Sequence, residues 1–406
     1  MTTETAREPR PAGGPALEPR PLPLTRPCPF TPPAEFTDLR EREPLSRIAN
    51  PDGTTGWLVT DYALARKVLS DPRFSARQEL MSSPLTDRTF EPAMPGGFLF
   101  MDPPEHTRYR KLLTGQFTVR RMRRLEARVE EVTGRQLARL RAQGPGADLV
   151  EHFALPIPSL MICELLGVPY EDHEFFQSRA VAIFRLVQDP EEASAAYAGL
   201  RTYLLDLVRR RREEPADDIL SDLVAGGDLT DDELIGMALL LLLAGHETTA
   251  NMIAMGTFAL LSHPGQLALL REDPSLIDGA VEELLRYLSI MHVGLLRAAL
   301  EDVELAGRVI GKGDTVTVSV AAANRDPEKF GPSEDLAITR PATGHMAFGH
   351  GIHQCLGQQL ARIEMRIGIN GLLREFPGLR LNVPVSEVPV RKDMGVLGVH
   401  RLPVTW

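Results

Sequence analysis

The stretch Phe348-Gly349-His350-Gly351-Ile352-His353-Gln354-Cys355-Leu356-Gly357 sets a cysteine between a glycine-punctuated turn and an amphipathic segment. Gly349 and Gly351 permit the positive-φ turns a backbone needs when it passes close to a flat, bulky group. From Leu356 onward, Leu360, Ile363, Ile367 and Leu372 form one apolar stripe and predict a helix, with Cys355 at its N-terminus. Free amides and the positive end of the helix dipole favour thiolate over thiol there. Cys355 therefore reads as an iron ligand, since a thiolate pushes electron density into the metal and helps to break an O–O bond. Two other readings stand beside this one. A lone cysteine is a small buried hydrophobe in many proteins, and His345, His350, His353 and Cys355 together are a possible zinc set. Zinc, however, requires neither Phe348 nor the glycines.

Composition narrows the class. The chain has 406 residues with no Gly/Ser-rich linker, so one large domain is expected over residues 27–406. Residues 1–33 carry ten of the 33 prolines, and residues 1–26 read as a disordered or surface-draped leader. The three cysteines, Cys28, Cys163 and Cys355, form no disulfide framework and fit a reducing cytoplasm, with Cys163 in the core. A net charge of −10 argues against nucleic-acid binding. The apolar run 235–245 ends in His246-Glu247-Thr248-Thr249 and is too short to span a bilayer, so no membrane association is expected.

Helical patterns dominate, with a few strands, which predicts a mainly α fold with smaller β-sheets (α+β). Pro51-Asp52-Gly53 predicts a hairpin turn between 45 and 60, and Asp61 caps a short helix. Residues 75–100 lack periodicity and read as a substrate lid. A helix begins near Glu105 and puts His106 and Arg110 on one face. A basic helix over 120–141 opens with Arg120, Arg121, Arg123 and Arg124. A helix of about 30 residues over 231–262 is long enough to cross the domain. In its leucine-rich middle lie Ala244-Gly245-His246-Glu247-Thr248-Thr249, and an acid and an alcohol there are costly unless something uses them. Thr248 bonding back to its own helix is the plain alternative. Small Ala244 and Gly245 leave room for a ligand. Glu283 and Arg286 are three apart on another helix and pair along one face. Residues 302–320 alternate around Gly311-Lys312-Gly313 and read as paired strands, and short strands follow from Leu379.

The loop around Cys355, the Ala244–Thr249 pattern, Glu283-x-x-Arg286 and the His106/Arg110 helix occur in the order and spacing of the cytochrome P450 family, which the chain resembles over about residues 27–406. The resemblance is to its soluble actinobacterial, three-component branch. It implies haem b held between the long central helix and the helix after the cysteine loop, with Cys355 as axial ligand. His106, Arg110, Arg297 and His353 would hold the propionates, and Ala244, Gly245, Phe348, Gly349 and Gly357 would line the haem. Thr248 is the implied hydrogen-bond donor to dioxygen, and Glu247 begins its proton relay, although many relatives carry Asp there. Glu283, Arg286 and Arg340 form a structural set. The implied reaction is monooxygenation of a small to medium, largely apolar molecule such as a secondary metabolite or xenobiotic. The implied pocket is lined from 75–100, 175–190, 239–243 and 290–296. His292, where an apolar residue is more usual in relatives, reads either as a solvent-facing or backbone-bonded histidine or as a hydrogen-bond partner for a polar group of the substrate. No nucleotide-binding glycine loop occurs, so a ferredoxin with its reductase is the expected electron source. It would dock near Cys355 on Arg120, Arg121, Arg124 and Arg362 of a cytoplasmic monomer. A haem-binding sensor without turnover is the alternative.

Overall fold

The computed structural model describes residues 18–185 and 189–406; the side chains of Val119, Arg120 and Arg123 also lie outside the described residues. Its axis is the central helix Asp231–Ser262. Thr230 starts it with a capping box, its hydroxyl accepting from Glu233 N–H while the Glu233 carboxylate accepts from Thr230 N–H. Asp231, Asp232 and Glu233 then suit the positive end of the dipole. At 32 residues it runs about 48 Å. By length and apolarity it is the one described helix that qualifies to cross a membrane, but 72% of its apolar window is buried inside the protein. A helix apolar all round is a core helix when neighbours cover every side. Those neighbours are the helices Pro156–Leu166, Pro190–Glu213, Ile277–Leu288 and Gln358–Glu375.

Beside this helical body lies a five-stranded sheet. Strands β1 (Leu45–Ala49) and β2 (Thr55–Val59) form the expected hairpin, with Leu45 opposite Val59. Gly53 turns it at φ 83°, and Asp52 accepts from Thr54 N–H at 2.8 Å. Asp61 caps the helix Tyr62–Ser70 through Leu64 N–H at 2.8 Å. The other strands are β3 (Phe74–Ser75), β4 (Leu295–Ala299), β5 (Val303–Leu305), β6 (Arg308–Ile310), β7 (Thr315–Val318), β8 (Arg380–Leu381) and β9 (Val404–Thr405). The large sheet runs β1-β2-β7-β4-β3, with β2 and β7 parallel; β8 and β9 pair by themselves, as expected of short C-terminal strands.

Residues 302–320 depart from the sequence reading. The hairpin there is β5–β6, turned at Ala306-Gly307, and β7 leaves for the large sheet instead of pairing across Gly311-Lys312-Gly313. Asp314 explains the exit, because its carboxylate accepts from Gly311 N–H at 3.1 Å and from the Trp57 indole at 2.7 Å, tying the turn to β2. With partners on both edges β7 is buried throughout, Thr315 and Thr317 included, so its alternation does not mark a solvent face.

The segment 75–100 is irregular apart from short 3-10 turns. A Cβ on Gly96 would meet Glu233 O at 2.2 Å, and one on Gly236 would meet Pro95 O at 1.9 Å. The segment thus crosses the start of the central helix where neither chain carries a side chain. Residues 18–26 of the expected leader drape along the sheet edge, with Ala49 N–H donating to Arg20 O at 3.0 Å and Leu22 buried. Residues 1–17 lie outside the described residues, as do 186–188 of the implied pocket wall.

A charged cluster fixes the chain ahead of the cysteine loop. Glu283 and Arg286 are fully buried and paired through both carboxylate oxygens at 2.7 and 2.8 Å. Arg340 Nε joins Glu283 at 3.2 Å, and Arg286 also donates to Asn324 O and Ser333 O. So many partners are what a charge this deep requires.

Candidate active site

The cysteine loop folds back on itself as its glycines suggest. Gly349 and Gly351 take φ 72° and 76°, and Cys355 N–H returns to Phe348 O at 2.9 Å. A Cβ on Gly351 would meet Leu69 O at 2.3 Å, so the loop is seated against the end of the Tyr62–Ser70 helix. The following helix starts at Gln358, two residues later than expected, and Gly357 N–H is thereby free to donate to the Cys355 sulfur. At Cys355 burial works against the expected preference for thiolate. Burial raises the Cys355 pKa more than the Gly357 bond, Arg110 and Arg362 lower it. A bound cation has to supply the charge that deprotonates it. Cys355 is nevertheless exposed by surface area; a side chain on the floor of an internal cleft is both deep and accessible. Cys163 is buried and pushed up to about 12, as a core cysteine.

Above the loop, four basic side chains from three elements converge. His106 and Arg110 lie one turn apart on the helix Glu105–Thr114, His353 comes from the loop, and Arg297 from the middle of β4. The His106 and His353 rings lie 4.3 Å apart. Arg110 Nη2 donates to Gln354 O at 2.5 Å, and Arg297 Nη1 only to Leu296 O at 2.7 Å. Both ring nitrogens of buried His106 lack a partner among the described residues. The nearby Asp102 is already engaged by Ser75 Oγ at 2.5 Å and Ala76 N–H at 2.8 Å. Burial, followed by Arg297, His106 and Arg110, pushes His353 down to about 3, and burial takes Arg297 down to about 10. Two arginines beside two histidines that burial keeps neutral, with the His106 ring unpartnered among the described residues, fit a group that brings its own carboxylates.

The central helix supplies the facing surface. Leu240, Ala244 and Thr248, four apart, with Leu241 and Gly245 beside them, stay partly or fully open while residues 234–239 and 249–260 are buried. Ala244 leaves room, as expected. Gly245 has a different reason for being small: a Cβ there would meet Ile162 Cδ1 at 2.7 Å, so it admits the Pro156–Leu166 helix and not a ligand. Thr248 Oγ donates to Ala244 O at 2.8 Å. His246 turns away, bonding Leu242 O at 2.7 Å and meeting Phe176 edge-on.

Glu247 is buried, with Arg391 on one carboxylate oxygen and, among the described residues, no partner on the other. Burial raises its pKa and Arg391 works against that rise. Arg391 was not legible beforehand, because it lies 144 residues away on an irregular C-terminal segment. It is held by its own N–H on Gly398 O at 2.8 Å, and Gly398 is bare where a Cβ would meet Asn251 Oδ1 at 1.8 Å.

Residues 183–401 match the family described as Cytochrome P450. Cytochrome P450 105C1 of Streptomyces sp is 50% identical over 369 residues, covering 91% of this chain and 93% of that one. The chain belongs to the cytochrome P450 family. Vitamin D3 dihydroxylase of Streptomyces griseolus is 44% identical over 413 residues, with 100% of both chains covered. The crystal structure of CYP105P1 in complex with filipin I superimposes with a TM-score of 0.92 at 44% identity, covering 96% of this chain and 99% of that one. As a cytochrome P450 the protein is an oxidoreductase of the monooxygenase class that uses haem b. The orphaned donors of His106 and the open Cys355 sulfur fit that group, which removes the zinc reading of the loop.

The side chains named for a partner protein differ in availability. Arg124 is exposed, and Arg121 lies 3.5 Å from Asp222. Arg362 is bidentate on Glu282 at 2.6 and 3.1 Å and sits 4.6 Å over the Phe348 ring. Arg120 lies outside the described residues. His292 is buried, with its ring nitrogens 3.3 Å from Leu24 O and from Met394 O.

Proposed function

We propose that the chain is a haem-thiolate monooxygenase that inserts one atom of O2 into a small to medium, largely apolar molecule such as a secondary metabolite or xenobiotic. Electrons come from a ferredoxin and its reductase. The observation that carries this reading is the accessible sulfur of Cys355 beside His106, Arg110, Arg297 and His353, with both His106 ring nitrogens unpartnered among the described residues. Haem, when bound, supplies the redox and oxygen chemistry.

The protein's part follows from its residues. Cys355 Sγ would be the haem's protein ligand, and the Gly357 N–H and the nearby charges of Arg110 and Arg362 favour negative charge on that sulfur. His106, Arg110, Arg297 and His353 would hold the group's carboxylates, and Phe348, Gly349 and Gly357 would line it. Ala244 and Gly245 mark the open stretch of the central helix. Thr248 Oγ–H, which donates to Ala244 O, would be the hydroxyl available as a hydrogen-bond donor beside the group, and Glu247 the acid one residue before it able to hold and release a proton. Leu240, Leu241, Leu295 and Leu296 give the pocket apolar walls that exclude bulk water and favour an apolar substrate. His292, buried with a backbone carbonyl 3.3 Å from each ring nitrogen and one ring N–H to donate to either, acts in holding the wall, not in binding substrate. The ferredoxin docks on the Cys355 side, where exposed Arg124 offers free charge; Arg121 faces Asp222, and Arg362 is committed to Glu282.

The test has two stages. The reduced protein treated with CO is expected to give the strongly red-shifted Soret band of a thiolate-ligated haem, and Cys355→Ser to lose it. Retention of that band by the variant overturns the ligand assignment. Product formation from an apolar substrate panel with a surrogate ferredoxin then separates an enzyme from a sensor that binds haem without turnover.

A further inference from the structure

The helix Ile277–Leu288 carries two adjacent acids with different partners. Glu283 belongs to the buried arginine cluster, whereas Glu282 reaches the chain on either side of the cysteine loop. Arg362 donates to both Glu282 oxygens, from Nε at 2.6 Å and Nη2 at 3.1 Å, and its Nη1 donates to Gln358 Oε1 at 3.1 Å. His345 Nε2 lies 3.2 Å from Glu282 Oε2. Ala347 N–H donates to His345 Nδ1 at 3.2 Å, which leaves Nε2 to carry the ring proton and donate to the acid. His345, one of the four side chains of the zinc reading, thus has both nitrogens in use. Burial raises the Glu282 carboxyl, but the bonds from His345 and Arg362 outweigh it and hold it down to about 2. At neutral pH a full negative charge therefore stands against the Arg362 cation.

These side chains close on Phe348. The Arg362 guanidinium lies 4.6 Å over its ring, and the His345 ring lies 5.9 Å from it. The Phe348 carbonyl in turn accepts from Cys355 N–H at 2.9 Å, and the Arg362 charge is felt at the Cys355 sulfur. Glu282 touches neither the sulfur's loop carbonyl nor the sulfur, so whatever it does there it does through Arg362 and His345.

We propose that Glu282 is a positioning residue for electron uptake: it fixes Arg362 as a partly compensated positive charge on Phe348 beside Cys355, and this charge pair sets how readily bound haem accepts an electron. The proposal rests on the haem-thiolate reading above. Gaining an electron is favoured by a nearby positive charge and opposed by a negative one, so the two members of the pair act with opposite sign. A bidentate guanidinium is held in one place, as a flexible unpaired one is not.

Spectroelectrochemical titration of the haem-loaded protein tests this, with the reduced, CO-treated spectrum of each variant as the check on ligation. One unit charge about 10 Å away at an effective dielectric of about 20 changes a one-electron equilibrium about tenfold, which is about 59 mV. Arg362→Gln is expected to lower the reduction equilibrium constant by about that factor. Glu282→Gln keeps an amide oxygen for Arg362 and is expected to raise it a few-fold or more. The double variant, neutral at both positions, returns to within about threefold of wild type, as does Arg362→Lys, which keeps the charge and serves if Arg362→Gln loses haem. A merely structural role would move both single variants the same way and the double variant further. Unmoved potentials, shifts of one sign, or a double variant no nearer wild type than the singles each overturns the proposal while the red-shifted CO band persists. Absence of that band from wild type is a separate failure, since it overturns the haem-thiolate reading and this proposal with it.

Discussion

Arg391 closes its guanidinium onto one oxygen of the Glu247 carboxylate, and the other oxygen is enclosed without a partner among the described residues. Arg391 Nη1 lies 3.4 Å from Asn251 Oδ1, and Asn251 in turn donates to Glu247 O at 2.9 Å. The acid of the central helix is thus clamped by a residue of the C-terminal segment. Burial is the larger influence and raises the Glu247 pKa, while Arg391 lowers it by favouring the charged form.

Arg391→Gln removes the lowering influence alone. The Glu247 pKa then rises further, and the carboxyl stays protonated to higher pH. The acidic limb of the pH profile for product formed per electron moves up, by about one unit or more for a lost buried charge-assisted bond. Glu247→Gln abolishes that limb. Superimposable profiles for wild type and Arg391→Gln would show that Arg391 has no hold on the acid.

Thr248→Ala deletes the hydroxyl now parked on Ala244 O and leaves the helix its own backbone bonds. Haem content and substrate-induced spectral change are expected to be those of wild type. Product per electron consumed is expected to fall by about tenfold or more, with peroxide released instead, because ordered proton delivery is lost. Unchanged coupling removes Thr248 from the proton path.

What the sequence made legible was whatever local spacing encodes. Thr230 and Glu233 announce the central helix, His106 and Arg110 share a face at four residues, and Glu283 and Arg286 pair at three. Gly349 and Gly351 adopt the positive φ their positions suggest. What stayed hidden depends on distant partners. Arg391 reaches Glu247 across 144 residues, Asp314 redirects β7 by bonding Trp57, and Gly245 is small because of Ile162. At Cys355 the dipole argument counts one helix and leaves out the burial that raises the thiol's pKa, which depends on the whole protein.

Glu283→Gln tests the buried charge cluster. The substitution keeps shape and removes the only carboxylate that Arg286 and Arg340 share, leaving two cations with carbonyl partners only. Breaking a buried pair from one side costs about 3–5 kcal/mol. The expected result is a lower melting temperature and loss of haem on purification, because Arg340 fixes the chain just before the cysteine loop. A melting temperature within error of wild type would show that the cluster contributes nothing net.

Glu364 reverses the sign. It lies on the helix Gln358–Glu375, 1% exposed, with Oε2 lacking any partner, and burial raises its pKa well above the ordinary value. Below the ordinary carboxylate range both folded and unfolded chains hold the proton, and the group is neutral in its effect on stability. As pH rises through that range the unfolded chain releases the proton first, while the folded chain keeps it. The unfolded state then gains, and stability falls until pH reaches the folded pKa. Each unit between the two values costs about 1.4 kcal/mol. Glu364→Gln retains the neutral shape and abolishes the titration. The variant is therefore expected to match wild type near pH 4 and to melt at a higher temperature near pH 7, with the difference growing across that interval. Were the glutamine variant no more stable than wild type at neutral pH, the buried carboxyl would have to be compensated by bonds that the glutamine amide fails to reproduce.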